Sequence, residues 1–242
     1  MLPDLTRVYV REAVSTMLLA RAGVAGGVGC PAVFAAERQT GGYGRLGRAW
    51  LSPRGNLYAT LAVAPGVGAE RLGEYGFLAS LAVLEGAEAL GAEGLSLKWP
   101  NDVLCSEGKV GGVLLESVVS GGEAEFLLMG WGVNLRGELP AGTGAVCLCD
   151  LGISGDVTAE VLLDSVLASF FRWRERWMSG GFGVVREAWC ERGHGVGDEL
   201  EVDGGRLRGF YAGLDERGYL LLDVNGERHI ISAGDIMTTT KN

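Results

Sequence analysis

"TGGYGRLGRAW" (Thr40–Trp50) carries Gly42, Gly44 and Gly47 at the spacing G-x-G-x-x-G. That spacing cradles a pyrophosphate only between a strand and a helix, whose N-terminus turns its positive dipole end toward the ligand. The flanks decide the matter. Upstream, "AVFAAERQ" (Ala32–Gln39) reads as a strand. Downstream, "RAWLSPRGNLYATLAV" sets Pro53, Gly55 and Asn56 where a helix begun at Gly47 would have to continue. Leu57–Val63 is apolar and partly β-branched, which makes it a second strand. The loop therefore joins strand to strand, and a dinucleotide oxidoreductase fails on context. Its glycines supply backbone freedom beside two fixed cations, Arg45 and Arg48, a composition suited to wrapping an anion.

Outward from the loop, "RVYVREA" reads as a strand and "STMLLARAG" as a short helix that Ser15 or Thr16 caps. Ala69–Leu90, rich in alanine, leucine and glutamate, reads as one long helix whose glycines suggest close packing. Three strand candidates follow: "LSLKWP", "KVGGVLLESVV" and "AEFLLMGWGVNL". Between Thr158 and Trp177, Leu162, Val166, Phe170, Trp173 and Trp177 recur at three- and four-residue steps, one helix face made for core packing. "GVVREAWCERG" is a shorter helix, and "HGVGDE" a hinge. Beyond Asp198, "ELEV", "RLRGFYAGL", "YLLLDV" and "ERHII" alternate and are separated by turn residues, with Asn225-Gly226 as the hairpin signal. These four strands suggest a small closed β-barrel appended to a mixed sheet with helices.

The chain has 242 residues, 48% of them apolar, enough for one sizeable core and a small second domain. No apolar stretch reaches membrane-spanning length, and the start lacks the basic and apolar regions of a signal peptide. Net charge is −9 with scattered cations, which leaves no nucleic-acid footprint. The five cysteines are an odd number, as expected of reduced thiols in the cytoplasm. Cys147 and Cys149 form a C-x-C, but no second pair and no nearby histidine completes a zinc site.

The second informative stretch is "LKWPNDVLCSEGKVGGVLLES" (Leu97–Ser117). Alone it reads equally well as a hairpin, with Pro-Asn-Asp turning the chain and "CSEGK" turning it back. Beside the arginine–glycine loop it reads as a site: Lys98 and Lys109 are cations, and Asn101 and Asp102 can orient a lysine or hold Mg²⁺ through oxygen. That set suits phosphoryl chemistry, and no covalent nucleophile is apparent. In "MGWGVNL" (Met129–Leu135), Gly130 and Gly132 would let a flat ligand approach the backbone, or a helix pack tightly.

In order and spacing, "QTGGYGRLGRAWLSPRGNLY", "KWPND" followed by Lys109 and "GGVLLE", and "GWGVN" resemble the three motif blocks of the biotin–protein ligases. The "ST" at Ser15 and Thr16, the "WRERW" helix and the C-terminal strands also fall where that family has them. The resemblance implies an α+β fold: a class II synthetase-like, biotin/lipoate ligase-type catalytic domain over residues 1–193, with helices packed on a mixed β-sheet. A small SH3-like β-barrel over 194–242 would follow. It implies a monofunctional enzyme, as only about seven residues precede the first strand and a DNA-binding winged helix has no room there.

The implied reaction has two steps. The biotin carboxylate attacks the α-phosphate of ATP to give biotinyl-5′-AMP, and a lysine of a biotin carboxyl carrier protein or domain then takes the biotinyl group. ATP and Mg²⁺ are the co-substrate and ion, biotin the substrate, with no tightly bound prosthetic group, in a cytoplasmic monomer or homodimer. By resemblance, Arg45, Lys109 and Asp102 are catalytic. Ser15, Thr16, Met17, Gln39, Tyr43, Gly44 and Gly112 join Arg45 and Lys109 around biotin. Gly42, Arg48, Trp50, Asn101, Gly132 and Asn134 join Arg45 and Lys109 around the nucleotide, and Asn101 and Asp102 would hold Mg²⁺ near the phosphates.

The chain departs from the family pattern in places. The loop commonly reads G-R-G-R-R-G-R; here Tyr43 and Leu46 replace two arginines, and Met17 stands where asparagine often follows "ST". Tyr43 removes a positive charge from the part of the loop expected to face the ligand. The related lipoate–protein ligases and octanoyltransferases are the nearest alternative, and KWPND with GxGRxGR argues against them.

Overall fold

The computed structural model describes residues 3–120, 123–139 and 142–238. The alternating start forms β1 (Thr6–Val10), and α1 (Thr16–Ala25) follows, its N-terminus capped by the Ser15 hydroxyl accepting from the Met17 amide at 3.2 Å. β2 (Ala32–Ala36) and β3 (Leu57–Val63) flank the glycine loop and pair antiparallel, so the loop does join strand to strand. Next come α2 (Glu74–Glu88), β4 (Ser96–Lys98), β5 (Asp102–Cys105), β6 (Gly108–Ser120), β7 (Glu123–Val133), α3 (Ala159–Gly180) and α4 (Phe182–Arg192).

The seven strands form one mixed sheet in the order β1-β2-β3-β7-β6-β5-β4, with only β1 and β2 parallel. Both faces are covered, which is why β2 and β3 are continuous apolar runs. Phe34, Ala62 and Leu128 pack with Met17 and Ala20 of α1 on one face. Val33, Leu61, Leu127 and Met129, one residue out of phase, join α2 and α3 on the other. Helix α2 lies between the sheet and α3 and is buried almost all round. It approaches α3 at Gly86, where a Cβ would stand 2.9 Å from the backbone of Val166.

The aromatic face of α3 is core: Phe170, Trp173 and Trp177 are all buried. Two buried indoles find acceptors on α2, Trp177 at the Glu74 carboxylate (2.5 Å) and Trp189 at the Ser80 hydroxyl (3.1 Å).

Two expectations need correction, the long helix and the closed barrel. The helix expected over Ala69–Leu90 is broken into a 3-10 turn at Ala69–Arg71 and α2, because Gly73 stands at the joint and glycine costs about 1 kcal/mol inside a helix. Pro-Asn-Asp turns the chain and "CSEGK" turns it back, and between the two turns Asp102–Cys105 form β5, which pairs on both sides with Val103 fully buried. The C-terminal region has β8 (Glu199–Val202), β9 (Leu207–Leu214), β10 (Leu220–Val224), β11 (Glu227–Ile231) and a fifth strand, β12 (Ile236–Thr238). They run in the order β11-β10-β9-β8-β12, an antiparallel sheet whose two edge strands do not pair among the described residues, so the expected closed barrel is open. Residues 239–242 lie outside the described residues.

The sheet of the tail is not independent of the rest: Leu200, Tyr211, Leu220 and Ile236 belong to the same buried cluster as α2 and α3, and Trp99 donates its indole N–H to the Gly218 carbonyl at 3.0 Å. No helix among the described residues is long and apolar enough to cross a membrane.

At the hinge, the His194 ring is largely buried, sits edge-on to Tyr211 at 5.9 Å and has no partner for Nε2 among the described residues. Burial pulls its pKa below the ordinary value; Asp198 opposes this and Lys98 adds to it. The folded state thus favours neutral imidazole, and between its lowered pKa and the unfolded value of about 6.5 the unfolded chain holds the extra proton. Stability should therefore fall as pH drops below about 6.5, above the range where ordinary carboxylates titrate. Urea midpoints measured from pH 7.5 to 5.5 check this, and in His194→Gln that slope should flatten.

Candidate active site

Four parts of the fold converge on one cavity of about 540 Å³. They are the start of α1, the glycine loop between β2 and β3, the β4–β7 half of the sheet, and the turn before β12. The volume lies in the range of small-molecule sites.

The α1 end is neutral and hydrogen-bonded. The Gln39 side-chain carbonyl accepts from the Thr16 amide (2.8 Å) and the Thr16 hydroxyl (3.2 Å), while its NH₂ donates to the Ser52 hydroxyl at 2.9 Å. Thr60 Oγ1 of β3 donates to Thr16 Oγ1 at 2.9 Å. Ser15, Thr16, Ser52 and Thr60 are all buried, so each hydroxyl has a fixed orientation set by these bonds. Met17 lies against Gly130. Such an end suits a polar, uncharged ring that both donates and accepts.

The other end is cationic. Lys109 Nζ donates to Asp102 Oδ1 at 2.6 Å, and Lys98 approaches the other oxygen at 3.7 Å. The short β5 makes this possible: Asp102 pairs with Lys98 on one side and Gly112 on the other. Gly112 leaves room, since a Cβ there would stand 3.3 Å from Lys109 Nζ. Lys109 also lies 5.3 Å from the centre of the Trp50 ring. Trp50 lines the cavity, and its buried indole N–H has no acceptor among the described residues. A ligand atom is the acceptor open to it.

The glycine loop closes the cationic end. Within it the Gly44 amide donates to the Arg48 carbonyl (2.8 Å) and the Trp50 amide to the Gly42 carbonyl (2.9 Å), around a turn whose Leu46 has φ 56°. Arg45 donates to Asn101 Oδ1 at 3.4 Å and to the Gly234 carbonyl at 3.1 Å. Arg48 holds both oxygens of Asp235, at 2.7 and 3.1 Å, and Arg45 reaches that carboxylate at 3.5 Å. Asp235 and the neighbouring Ile236 and Met237 line the cavity from the tail.

Of the site residues expected from sequence, Ser15, Thr16, Met17, Gln39, Tyr43, Gly44, Arg45, Arg48 and Trp50 line the cavity, as do Asn101, Asp102, Lys109, Gly112 and Gly132. Gly42 and Asn134 stand outside the lining. Gly42 packs against Ser52 and Gln39, where a Cβ would come within 2.7 Å of both. Asn134 is buried behind the site and donates to the Lys109 carbonyl at 3.2 Å, which fixes the strand that carries the lysine. Sequence reasoning missed Thr60 and the tail residues. Thr60 had no motif to mark it, and Asp235 follows Arg48 by 187 residues.

The expected metal pair does not fit an ion. Both carboxylates that line the cavity face cations, Asp102 two lysines and Asp235 two arginines, and Asn101 Oδ1 already accepts from Arg45. Elsewhere, Cys147, Cys149 and Asp150 bring ligand atoms within 4.8 Å of one another, but burial holds the Cys147 thiol up at about 11 and raises Cys149 as well. Both are therefore neutral thiols at neutral pH, and among the described residues no fourth ligand joins them.

Comparison with known proteins supplies the family. Residues 30–134, from before the glycine loop to the end of β7, match the model of the Biotin/lipoate A/B protein ligase family. The biotin–[acetyl-CoA-carboxylase] ligase of Paracoccus denitrificans is 36% identical over 215 residues, an alignment that covers 83% of this chain and 88% of the relative. The enzyme of the same name from Mycobacterium tuberculosis is 31% identical over 217 residues, covering 85% and 78%. Among solved structures, the biotin protein ligase from Aquifex aeolicus in complex with biotin and ATP superposes with a TM-score of 0.83 at 27% identity, over 97% of this chain and 99% of that one. On the identity and coverage of its relatives, the chain belongs to the biotin–protein ligases.

Proposed function

We propose that this protein is an ATP-dependent biotin–[acetyl-CoA-carboxylase] ligase, which makes biotinyl-5′-AMP from biotin and ATP and passes biotin to a lysine of a biotin carboxyl carrier protein or domain. One observation carries the reading: a single cavity joins a neutral hydrogen-bonding end at Thr16 and Gln39 to a cationic end at Lys109 and Arg45. Biotin has the matching polarity, an uncharged ureido ring at one end and a carboxylate at the other.

The chemistry explains the cations. A carboxylate is a poor acyl donor until it becomes a mixed anhydride, and one of its oxygens must attack the α-phosphorus as pyrophosphate leaves. Negative charge grows on the phosphoryl oxygens during that step, and fixed cations in a site shielded from water stabilise it. Lys109 is the cation best held for this, with its ammonium on Asp102 and its strand pinned by Asn134. Arg45 and Arg48 would bind phosphate oxygens on leaving Asp235, and Trp50 would flank the nucleotide. Mg²⁺ would arrive on the ATP phosphates, shielding their charge, and the cavity offers it no free carboxylate. In the second step the carrier amine attacks the acyl carbon, AMP leaves with the bonding pair, and the amine loses its proton.

Residues 1–193 then form the catalytic unit, and 194–242 an SH3-like module that completes the site through Asp235. We place the enzyme in the cytoplasm, as a monomer or homodimer. Mass spectrometry of protein mixed with Mg-ATP and biotin tests the reading: biotinyl-AMP should co-purify with the chain. Lipoyl-AMP formed from lipoate, with no adduct from biotin, would move the chain to the lipoate ligases.

A further inference from the structure

The glycine loop touches the rest of the protein at a second point that no ligand chemistry explains. Tyr43 begins the short ladder inside the loop, bridging to Ala49, and its ring packs against the apolar cluster of α1 and β2. Its hydroxyl donates to Glu116 Oε1 at 2.9 Å. Glu116 sits in the middle of β6, opposite Leu128 of β7, on one of the best-supported strands of the sheet. Its other oxygen accepts from the guanidinium of Arg21 on α1 at 2.7 Å. Arg21, Glu116 and Tyr43 therefore tie a helix, a central strand and the loop together.

We propose that Glu116, itself held by Arg21, is a positioning residue that anchors Tyr43 and keeps the glycine loop folded over the cavity before any ligand arrives. Only the identity of the ligand that benefits rests on the function proposed above. Two of the contacts that hold the loop are of different kinds. At Asp235 a carboxylate holds the Arg45 and Arg48 cations, so an anionic ligand competes for the same groups. At Glu116 the group held is a neutral phenol already donating to a carboxylate, which carries no net charge to draw a phosphate as a guanidinium does. Burial and the neighbouring carboxylate push the Tyr43 hydroxyl up to about 12, so it remains a donor throughout the neutral range. When phosphate draws the arginines away from Asp235, the Tyr43 anchor stays in place and the loop turns about its Tyr43–Ala49 rung. The tyrosine that replaces a family arginine thus keeps the loop attached without adding a charge beside Arg21.

Trypsin can cut after Arg45, next to the exposed Leu46, and after Arg48, so cleavage of the ligand-free protein reports loop opening. Tyr43→Phe keeps the ring and removes only the hydrogen bond. It should raise cleavage at these sites by roughly three- to tenfold, the population change that one such bond controls. Glu116→Ala should do the same, and the double variant should be no faster than the faster single one, because both remove the same contact. The KM for biotin in ATP–pyrophosphate exchange should rise by a similar factor in Glu116→Ala, at a residue outside the cavity lining, with kcat within about twofold, a split that general loss of folding would not give. Wild-type cleavage in Tyr43→Phe, or additive effects in the double variant, would overturn the anchor. Absence of biotin-dependent exchange in the wild type would count instead against the proposed function, while proteolysis still decides the anchor.

Discussion

Lys109→Ala is expected to slow biotin-dependent adenylate formation by two orders of magnitude or more. The ammonium is held 2.6 Å from Asp102 and near the Trp50 ring, while its backbone N–H donates to the Gly144 carbonyl and its C=O accepts from Asn134. It is thus in place before charge develops, and removing one such preorganised donor costs about 3–4 kcal/mol in the transition state. Lys98 softens the loss, as it stays 3.7 Å from Asp102 and keeps that carboxylate partly neutralised. The effect should lie mainly in the rate of the first step, because the neutral end of the cavity at Thr16 and Gln39, which would hold the other end of biotin, is untouched. ATP–pyrophosphate exchange measures this. Exchange within threefold of wild type would remove Lys109 from the reaction.

The parts of this site that the sequence discloses are those held close along the chain. Lys98, Asp102 and Lys109 come from one β4–β5–β6 meander, so "KWPND" followed by Lys109 already contains the cluster. The flanks of the glycine loop likewise reveal a strand on either side. What stays hidden depends on distant packing. Asn134 has the look of a ligand residue in "GWGVN", but in the fold its amide serves the Lys109 carbonyl from behind. Asp102 looks like a metal ligand until two lysines are seen to face it. The closed barrel failed for a related reason: alternation and turns predict strands, but closure depends on whether β11 and β12 meet, and no local pattern carries that.

Asp235 shows how far the tail enters the chemistry. A carboxylate from the turn before β12 occupies the arginines that the proposed function assigns to an anionic substrate, so without ligand Arg45 and Arg48 are neutralised and in place. The same contact fastens the tail to the loop, and the tail is further joined to the catalytic unit through Trp99 and the shared core. On the proposed function, binding of phosphate would exchange one anion for another on the same two cations, which limits the desolvation that free arginines would have to undergo.

Gly132→Val is expected to weaken ATP use at least tenfold while leaving the protein folded. Gly132 lies on β7, paired with Tyr58 of β3 and Gly112 of β6, and a Cβ there would stand 2.7 Å from the Trp50 indole. Real Cβ contacts are not that short, so one side must give way. The strand is hydrogen-bonded to neighbours on both sides, whereas Trp50 closes a loop built on glycines; the indole moves. Its displacement takes away the ring beside Lys109 and the buried N–H that a ligand would satisfy. Overpacking costs about 1–3 kcal/mol, which borne by the loop becomes roughly a ten- to hundredfold rise in the KM for ATP. A smaller residue at 50 should relieve the clash without restoring the ring, so Gly132→Val with Trp50→Leu should be no worse than Trp50→Leu alone. If Gly132→Val instead lowers the unfolding midpoint and leaves the KM for ATP unchanged, the sheet has yielded and the indole is not the mobile partner.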